Sequence, residues 1–232
     1  MAFYLDVYSK SEFFTSNRAG NFRAQIHPAK TLKGRWEVSL VEARLPHALN
    51  LQEDAPYIQT FKNLEGETIL LKKLTIPKGY YTSYEELKYK LKIVGLTFNF
   101  DAVMNKVAIK IDRKYEIMFL EELAAILGLV PNETYKTFVW APDTVDVDRY
   151  ITPMYLQSSI IPSQIVGESR RPVLRTIYQN GGHIEFSPKY IEVTDTTLDD
   201  LHFRITDKNN RELEFVNDNV NLTLHFRPCS QD

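Results

Sequence analysis

The stretch 220–227, Val-Asn-Leu-Thr-Leu-His-Phe-Arg, decides the fold class of this chain. Apolar and polar side chains alternate along it without a break. Successive side chains of a β-strand point to opposite faces of a sheet, so a period of two predicts a strand with one buried face. The predicted core anchors on that face are Leu222, Leu224 and Phe226.

The same alternation recurs upstream. Leu201, Phe203 and Ile205 alternate with polar residues, and the residues 208–211, Lys-Asn-Asn-Arg, suit a turn. The strand over 201–205 is therefore a candidate hairpin neighbour of the terminal strand. Further strands are predicted over 3–7, 22–26, 36–43, 69–76, 96–100, 107–111, 154–160, 173–178 and 184–193.

Helix signals are confined to the middle of the sequence. Ser83 and Glu86 resemble a capping box ahead of apolar residues at helical spacing, which predicts a helix over 84–94. A second, shorter helix is predicted over 121–127, because acids fill its first turn and Gly128 follows its end.

The chain as a whole is predicted to be one mainly β domain, 1–232. Its strands follow one another at short intervals without a helix after each, which favours an antiparallel β-sandwich of the single jelly-roll type over a doubly wound α/β sheet. The two helices and a hairpin over 96–111, turning at 102–105, form a predicted small α-β-β-α insertion at about 80–130. A length of 232 residues is ordinary for one all-β domain.

Charge and composition exclude several classes of partner. The formal net charge is -2, and acidic and basic residues are interspersed, so the chain lacks the basic surface that binding nucleic acid directly requires. The single cysteine, Cys229, cannot form an intrachain disulfide. Residues 1–10 do not resemble a signal peptide, so we expect no secretion. No apolar run approaches the ~18 residues of a membrane-spanning helix.

The sequence contains little material for catalysis. It has no dinucleotide-binding, P-loop, nucleophile-elbow or HExxH motif, and nine glycines leave few positions for a phosphate-binding loop. We therefore expect no enzymatic activity, no cofactor and no metal.

Two groups of residues are candidate metal ligands. His202 and His225 lie on the polar faces of candidate neighbouring strands, and two adjacent imidazoles can bind a metal, but a third ligand is needed. Asp143, Asp146 and Asp148 could gather around calcium, but the run lacks the glycine and terminal glutamate of a helical calcium loop. Solvated side chains are the favoured interpretation of both groups.

Arg170 and Arg171 form the one compact basic spot in the sequence. A solvated loop is the favoured interpretation, with an ion pair between subunits as the alternative, because arginine is enriched in interfaces. Trp36 shares a strand face with Val38 and Leu40 and is interpreted as a further core anchor. We expect Trp36→Ala to leave mostly insoluble protein.

Several stretches together resemble the penton-type minor capsid protein of Polinton (Maverick) elements and the related adintoviruses. The most specific is 32–42, LKGRWEVSLVE, which is similar to that family's strand opening with tryptophan and is followed by Pro46-His47. The others are 3–8 with Asn21-Phe22, 79–81 (GYY), 123–129 (LAAILGL), 161–167 (IPSQIVG) with 172–175 (PVLR), and 221–227 (NLTLHFR).

The resemblance implies a single jelly roll that forms pentamers at the fivefold vertices of an icosahedral capsid. Its partners would be further copies of itself and a double jelly-roll major capsid protein. It implies residence in the virion after synthesis in the host cytoplasm, leaves the nucleus open as the place of assembly, and supplies no catalytic residue. Loop position makes His47, Asn50, Arg170 and Arg171 the candidate contact residues between subunits.

Two other classes of function remain open from the residues alone. A jelly-roll module that binds glycans or proteins could use Tyr80, Tyr81 and Tyr84, stacking an exposed ring on a sugar, although tyrosines at a helix entrance more often pack inside. A hydrolase with an unrecognised site is the third class, but no nucleophile and base can be paired in the sequence.

Overall fold

Strands dominate the chain, as its alternation predicts. The fold is that of a computed structural model, which describes residues 1–52, 55–62, 68–91, 96–149 and 151–229, with only the backbone described for 55–62 and 68–72. Eighteen strands and two short helices lie within these residues, and all strand pairs are antiparallel. The mainly β prediction is confirmed.

The strands in chain order are β1 (Phe3–Tyr8), β2 (Asn21–Thr31), β3 (Trp36–Leu45), β4 (Ala55–Lys62), β5 (Thr68–Ile76), β6 (Leu96–Asp101), β7 (Lys106–Ile111), β8 (Tyr115–Phe119), β9 (Thr134–Tyr135), β10 (Val139–Trp140), β11 (Met154–Ser158), β12 (Gln164–Val166), β13 (Ser169–Arg171), β14 (Val173–Ile177), β15 (Gly182–Glu185), β16 (Ile191–Glu192), β17 (Thr197–Thr206) and β18 (Asn221–Pro228). The helices are α1 (Tyr84–Lys90) and α2 (Glu121–Leu127).

The chain separates into two compact units. Unit 1 comprises Met1–Ala48 and Ile151–Asp232, and unit 2 comprises Leu49–Tyr150. The predicted α-β-β-α segment at 80–130 lies inside unit 2. Unit 2 contains more of the chain than this segment, because β8 pairs with β4, and β4 with β5. Since β8 also lies between the hairpin and α2, the order within 80–130 is α-β-β-β-α.

Unit 1 contains two sheets around one hydrophobic core. The first sheet has the order β1-β18-β3-β15, with β16 also paired to β3, and the second has the order β14-β11-β17-β2. Apolar side chains from both sheets belong to the same buried cluster, which fits a β-sandwich. From the first sheet these include Val7, Val38, Leu40, Leu222, Leu224 and Phe226, and from the second Phe22, Leu156, Leu174, Leu201, Phe203 and Ile205.

The terminal strand β18 lies inside the first sheet, between β1 and β3. Phe226 is fully buried and stacks on Phe3 with 5.0 Å between the ring centroids. Trp36 is only half-buried: its ring lies 5.6 Å from that of Phe3, and its Nε1–H donates to Lys33 O at 2.9 Å. Trp36 therefore packs at the margin of the core, and Phe226 lies inside it.

Two predictions about strand arrangement are wrong. The run over 184–193 is not one strand but β15 and β16, because the segment between them contains Pro188, which has no backbone N–H for a sheet. The strands β17 and β18 are not hairpin neighbours, since β17 belongs to the second sheet and β18 to the first. Of the turn predicted at 208–211, residues 208–210 do turn, but Leu213 N then donates to Ile205 O at 3.0 Å and the chain crosses between sheets.

Unit 2 has its own core and two sheets, β5-β4-β8-β9 and β10-β7-β6. Helix α1 begins where predicted, with Ser83 Oγ accepting from Glu86 N at 3.4 Å, and it ends at Lys90 with Leu91 as its C-cap. The last residues of its predicted range, 92–94, lie outside the described residues. Helix α2 has its predicted bounds. It closes at Gly128, whose φ of +72° suits glycine and where a Cβ atom would lie 2.4 Å from Asp143 O.

Candidate assembly surface

Strand β1 forms an open edge of the first sheet. It pairs with β18 on one side only, and Ser9 N donates to Val220 O at 2.9 Å in the same register. Antiparallel pairs alternate between bonded and non-bonded residues, so the odd-numbered residues of β1 bond to β18. The backbone groups of Tyr4, Asp6 and Tyr8 therefore face away from the sheet, and within the described ranges no backbone group pairs with them there.

The edge of β2, in the second sheet, is capped instead. Arg23 N donates to Asn17 Oδ1 at 3.0 Å, and Asn17 Nδ2 donates to Arg23 O at 2.8 Å. Next to this pair, the backbones of Arg18 and Asn21 exchange two hydrogen bonds of 3.0 Å each. Because these groups occupy the outer side of β2 at residues 21–23, another strand cannot pair with that end of it.

A groove of about 250 Å³ runs beside the open edge of β1. Val7, Ala24 and Ile26 supply apolar surface to it, and the first two are buried. Its charged lining residues are Asp6, Lys10 and Glu12, all exposed. The groove therefore combines an apolar floor with a rim that carries two carboxylates and one ammonium group.

The hairpin β12–β13 of unit 1 is a two-stranded sheet of its own. Its turn begins at Gly167, whose φ of +60° is the left-handed conformation that two-residue hairpin turns use. Ile165 on β12 is 76% exposed and pairs across the hairpin with Arg170, which is also exposed. An exposed isoleucine beside an arginine is a composition typical of protein interfaces.

The two adjacent arginines differ in their surroundings. Arg171 Nε donates to Ser169 Oγ at 2.7 Å, and its NH2 group donates to Lys208 O at 2.9 Å. Its guanidinium also lies 5.5 Å from the ring of Tyr155. Arg171 therefore holds the hairpin to its own subunit, and Arg170 is the arginine that is directed outward.

The remaining predicted contact residues fall in different units. His47 belongs to unit 1, is exposed, and its carbonyl accepts from Val216 N at 3.0 Å. Asn50 belongs to unit 2 and is fully buried. Its side chain accepts from Tyr81 N at 2.9 Å and donates to Tyr81 O at 2.7 Å. Asn50 is thus an internal residue, which corrects its prediction as a contact between subunits.

The tyrosines considered for sugar stacking are mostly inside unit 2. Tyr81 is buried and its hydroxyl donates to Pro77 O at 2.7 Å. Tyr84 is buried, stacks on Phe100 at 5.0 Å, and burial raises the pKa of its hydroxyl. Tyr80 is half-buried. Two of the three rings are therefore unavailable to a sugar.

The two histidines weighed as metal ligands lie on different sheets. His202 Nε2 donates to Asn21 Oδ1 at 2.7 Å, since the amide nitrogen of Asn21 donates to Glu212. Burial lowers the pKa of His202, and the nearby guanidinium groups of Arg23 and Arg204 lower it further. His225 Nδ1 is hydrogen-bonded to the hydroxyl of Tyr190 at 2.7 Å.

The acidic run in unit 2 bonds locally. Asp143 Oδ2 accepts from Arg149 at 2.6 Å, and this hydrogen bond holds the pKa of the Asp143 carboxyl below its usual value. Asp146 Oδ1 accepts from the backbone N of Asp148 at 3.1 Å. Among the residues with described positions, no three His, Cys, Asp or Glu side chains are grouped as they would be around a metal ion.

Comparison with known proteins gives no relative: no protein-family model and no curated protein matches this chain. Of the helices in the described part of the chain, none is long and apolar enough to cross a membrane.

Sequence reasoning missed the open edge, the cap and the groove, and it found only part of the hairpin. Arg170 was singled out by composition, but Ile165 and Asn17 were not. A glycine-containing turn between two short polar-apolar segments at 164–171 is a signal that could have identified the hairpin. The bond between Asn17 and Arg23 has no sequence signal, because it depends on the path of a loop.

Proposed function

We propose that this chain is a structural virion protein: a penton subunit that assembles into pentamers at the fivefold vertices of an icosahedral capsid. Its partners are further copies of itself and a double jelly-roll major capsid protein. It acts through assembly and performs no catalytic step.

The pairing order of the strands in unit 1 is the observation that carries this proposal. The first strand, β1, pairs with the last, β18, and β2 pairs with β17. Further inward, β3 pairs with β15 and β16, and β11 pairs with β14. Such nested pairs arise when one long hairpin of four strand pairs is rolled into two sheets, the arrangement of a jelly roll.

This order supports a single jelly roll for unit 1, with unit 2 entering the sequence between β3 and β11. Two of the stretches that resemble penton proteins fall on these nested strands: 32–42 includes most of β3, and 221–227 lies in β18. A third, 161–167, contains β12 of the separate hairpin. The resemblance and the pairing order therefore support the same proposal from different observations.

Surface properties of unit 1 support self-assembly. A ring of five is a heterologous assembly, in which one patch of each copy meets a different patch of the next. The open edge of β1 offers backbone groups for such a contact, whereas β2 is capped. A formal net charge of only -2 keeps repulsion between like subunits low.

Light scattering on the purified chain, followed by negative-stain imaging, tests this function. We expect particles with the mass of five copies and five-membered rings in the images. A chain that stays monomeric at high concentration and binds glycans would instead favour a binding module, although the burial of Tyr81 and Tyr84 speaks against it.

A further inference from the structure

We propose that the β12–β13 hairpin of one copy docks into the groove beside β1 of the next copy, with Ile165 on its apolar floor and Arg170 at its acidic rim. This inference rests on the proposed self-assembly and names the two patches that it uses. Both patches belong to unit 1, so the contact is between different surfaces of the same unit, as a closed ring requires.

The hairpin carries an apolar side chain that the subunit itself leaves in water. Ile165 is 76% exposed, whereas most apolar side chains of the neighbouring strands β11 and β14 are buried. A two-stranded hairpin is marginal alone and gains from a further strand. Within the described chain β12 pairs only with β13, so its outer edge is open as well.

The groove supplies what this hairpin lacks. Its floor of Val7, Ala24 and Ile26 can cover an isoleucine side chain, and burying one removes apolar surface from water. Ile165 and Arg170 lie directly opposite each other in the hairpin and so share one of its faces, and that face can lie over the groove. An extended segment placed there has alternate side chains directed toward the groove, which is how β12 presents Ile165 between Gln164 and Val166.

The charges of the two patches are complementary. Asp6 and Glu12 lie at the groove, and the described residues provide neither with an ion-pair partner; Asp6 Oδ1 accepts only the hydroxyl of Thr223, at 2.7 Å. Among the residues that the structure describes, no carboxylate forms an ion pair with the guanidinium of Arg170. Lys10 at the groove has the same charge as Arg170, and Glu168 in the hairpin turn has the same charge as the groove carboxylates, so both reduce this attraction. Lys10 and Glu168 are themselves of opposite charge and can pair with each other.

Pairing of β1 with itself is the other contact that the open edge offers, and charge disfavours it. In the antiparallel β1–β1 register that aligns Tyr4 with Tyr8 of the other copy, Asp6 lies opposite Asp6. Like charges placed directly across a sheet are destabilising. The edge therefore favours a segment of different composition, and the hairpin is the segment with the matching charge.

Charge reversal tests the docking in the full chain. Asp6→Arg and Arg170→Glu each place like charges together, and we expect each to weaken assembly several-fold, to about tenfold. The double variant restores an ion pair in the opposite sense and should recover most of that loss. Ile165→Asp should weaken assembly at least about tenfold, since it removes the buried anchor. Sedimentation velocity over a concentration series measures each shift.

Matched controls separate docking from general effects of charge. Val103 is 96% exposed in unit 2, so Val103→Asp makes the same chemical change as Ile165→Asp outside both patches. Lys114→Glu is the control for Arg170→Glu, because Lys114 is exposed on unit 2. Both controls should assemble like the wild type. Ile165→Ser and Arg170→Gln provide milder variants if a charge reversal impairs folding, which thermal unfolding detects.

The possible results distinguish the docking from the proposed function. If the wild type assembles and Ile165→Asp, Arg170→Glu and their milder forms assemble equally well, the docking is wrong and self-assembly stands. If single reversals weaken assembly and the double variant recovers it, the docking is supported. A wild type that is monomeric at every concentration overturns self-assembly, and the docking with it.

Discussion

The side-chain amide of Asn17 forms a closed pair of hydrogen bonds with the backbone of Arg23: Arg23 N donates to Asn17 Oδ1 at 3.0 Å, and Asn17 Nδ2 donates to Arg23 O at 2.8 Å. An amide group offers the same donor and acceptor as a peptide unit, so Asn17 stands where a neighbouring strand would pair. Unit 1 thus blocks the start of the β2 edge and leaves β1 open, which limits the ways in which copies can meet.

Replacing this cap should cost little stability but change association. We expect Asn17→Ala to lower the free energy of unfolding by about 1 kcal/mol, because water can bond to the released backbone groups. It should also promote irregular association through the uncapped edge of β2, seen as increased light scattering at high concentration. Ser16→Ala, at the exposed neighbouring residue, is the control and should do neither. Unchanged association in Asn17→Ala would contradict the assignment of Asn17 as an edge cap.

Phe226 should matter more to folding than Trp36. Phe226→Ala removes a fully buried ring together with its stacking contact on Phe3. We therefore expect the free energy of unfolding to fall by about 3–5 kcal/mol and most of the protein to be insoluble. The sequence alone predicts insoluble protein for Trp36→Ala, but the ring is only half-buried, so a loss of about 2 kcal/mol and soluble protein are now expected. Urea denaturation and the soluble fraction measure both. Equal losses would show that Trp36 anchors the core after all.

Asn50 should act as an internal bond of unit 2. Asn50→Ala leaves the backbone N–H and C=O of Tyr81 without their buried partner, so we expect a loss of about 2–3 kcal/mol in unfolding free energy. Hydrogen exchange should rise at Tyr81 and its neighbours. Asn99→Ala, at an exposed strand residue of the same unit, is the control. If Asn50→Ala is fully stable but assembles less well, Asn50 is a contact residue between subunits and not an internal one.

His202 should make stability depend on pH. Burial lowers its pKa in the folded protein, so the unfolded chain binds a proton more readily and acid favours unfolding. The free energy of unfolding should therefore fall as the pH drops through the unfolded-state pKa, about 6.5, and level off below the folded-state pKa. Chemical denaturation at several pH values, in the wild type and His202→Asn, isolates this contribution. Parallel curves for the two proteins would exclude it.

Local pattern predicted most of the elements and little of their arrangement. The alternation of Leu222, Leu224 and Phe226 identified a buried strand because each of these side chains faces one core. The acids and Gly128 fixed the bounds of α2 because they act within a single turn. Strand β8 was missed, since its buried residues do not alternate and so give no period of two.

Arrangement depends on partners far away in the sequence. The strands over 201–205 and 220–227 look like a hairpin locally, yet each pairs with a strand from the first 45 residues, β17 with β2 and β18 with β1 and β3. Nothing near Asp6 or Ile165 in the sequence indicates that one borders a groove and the other is exposed. The candidate site was therefore predicted only at Arg170, where composition alone was informative.

Native mass spectrometry of the purified wild-type chain tests the central claim most directly, because it counts the copies in each assembly. A dominant species of about 135 kDa, five copies of the 27.0-kDa chain, is the predicted result. A spectrum that contains only the 27.0-kDa monomer across the accessible concentrations, or a closed assembly of a different number of copies, would contradict it.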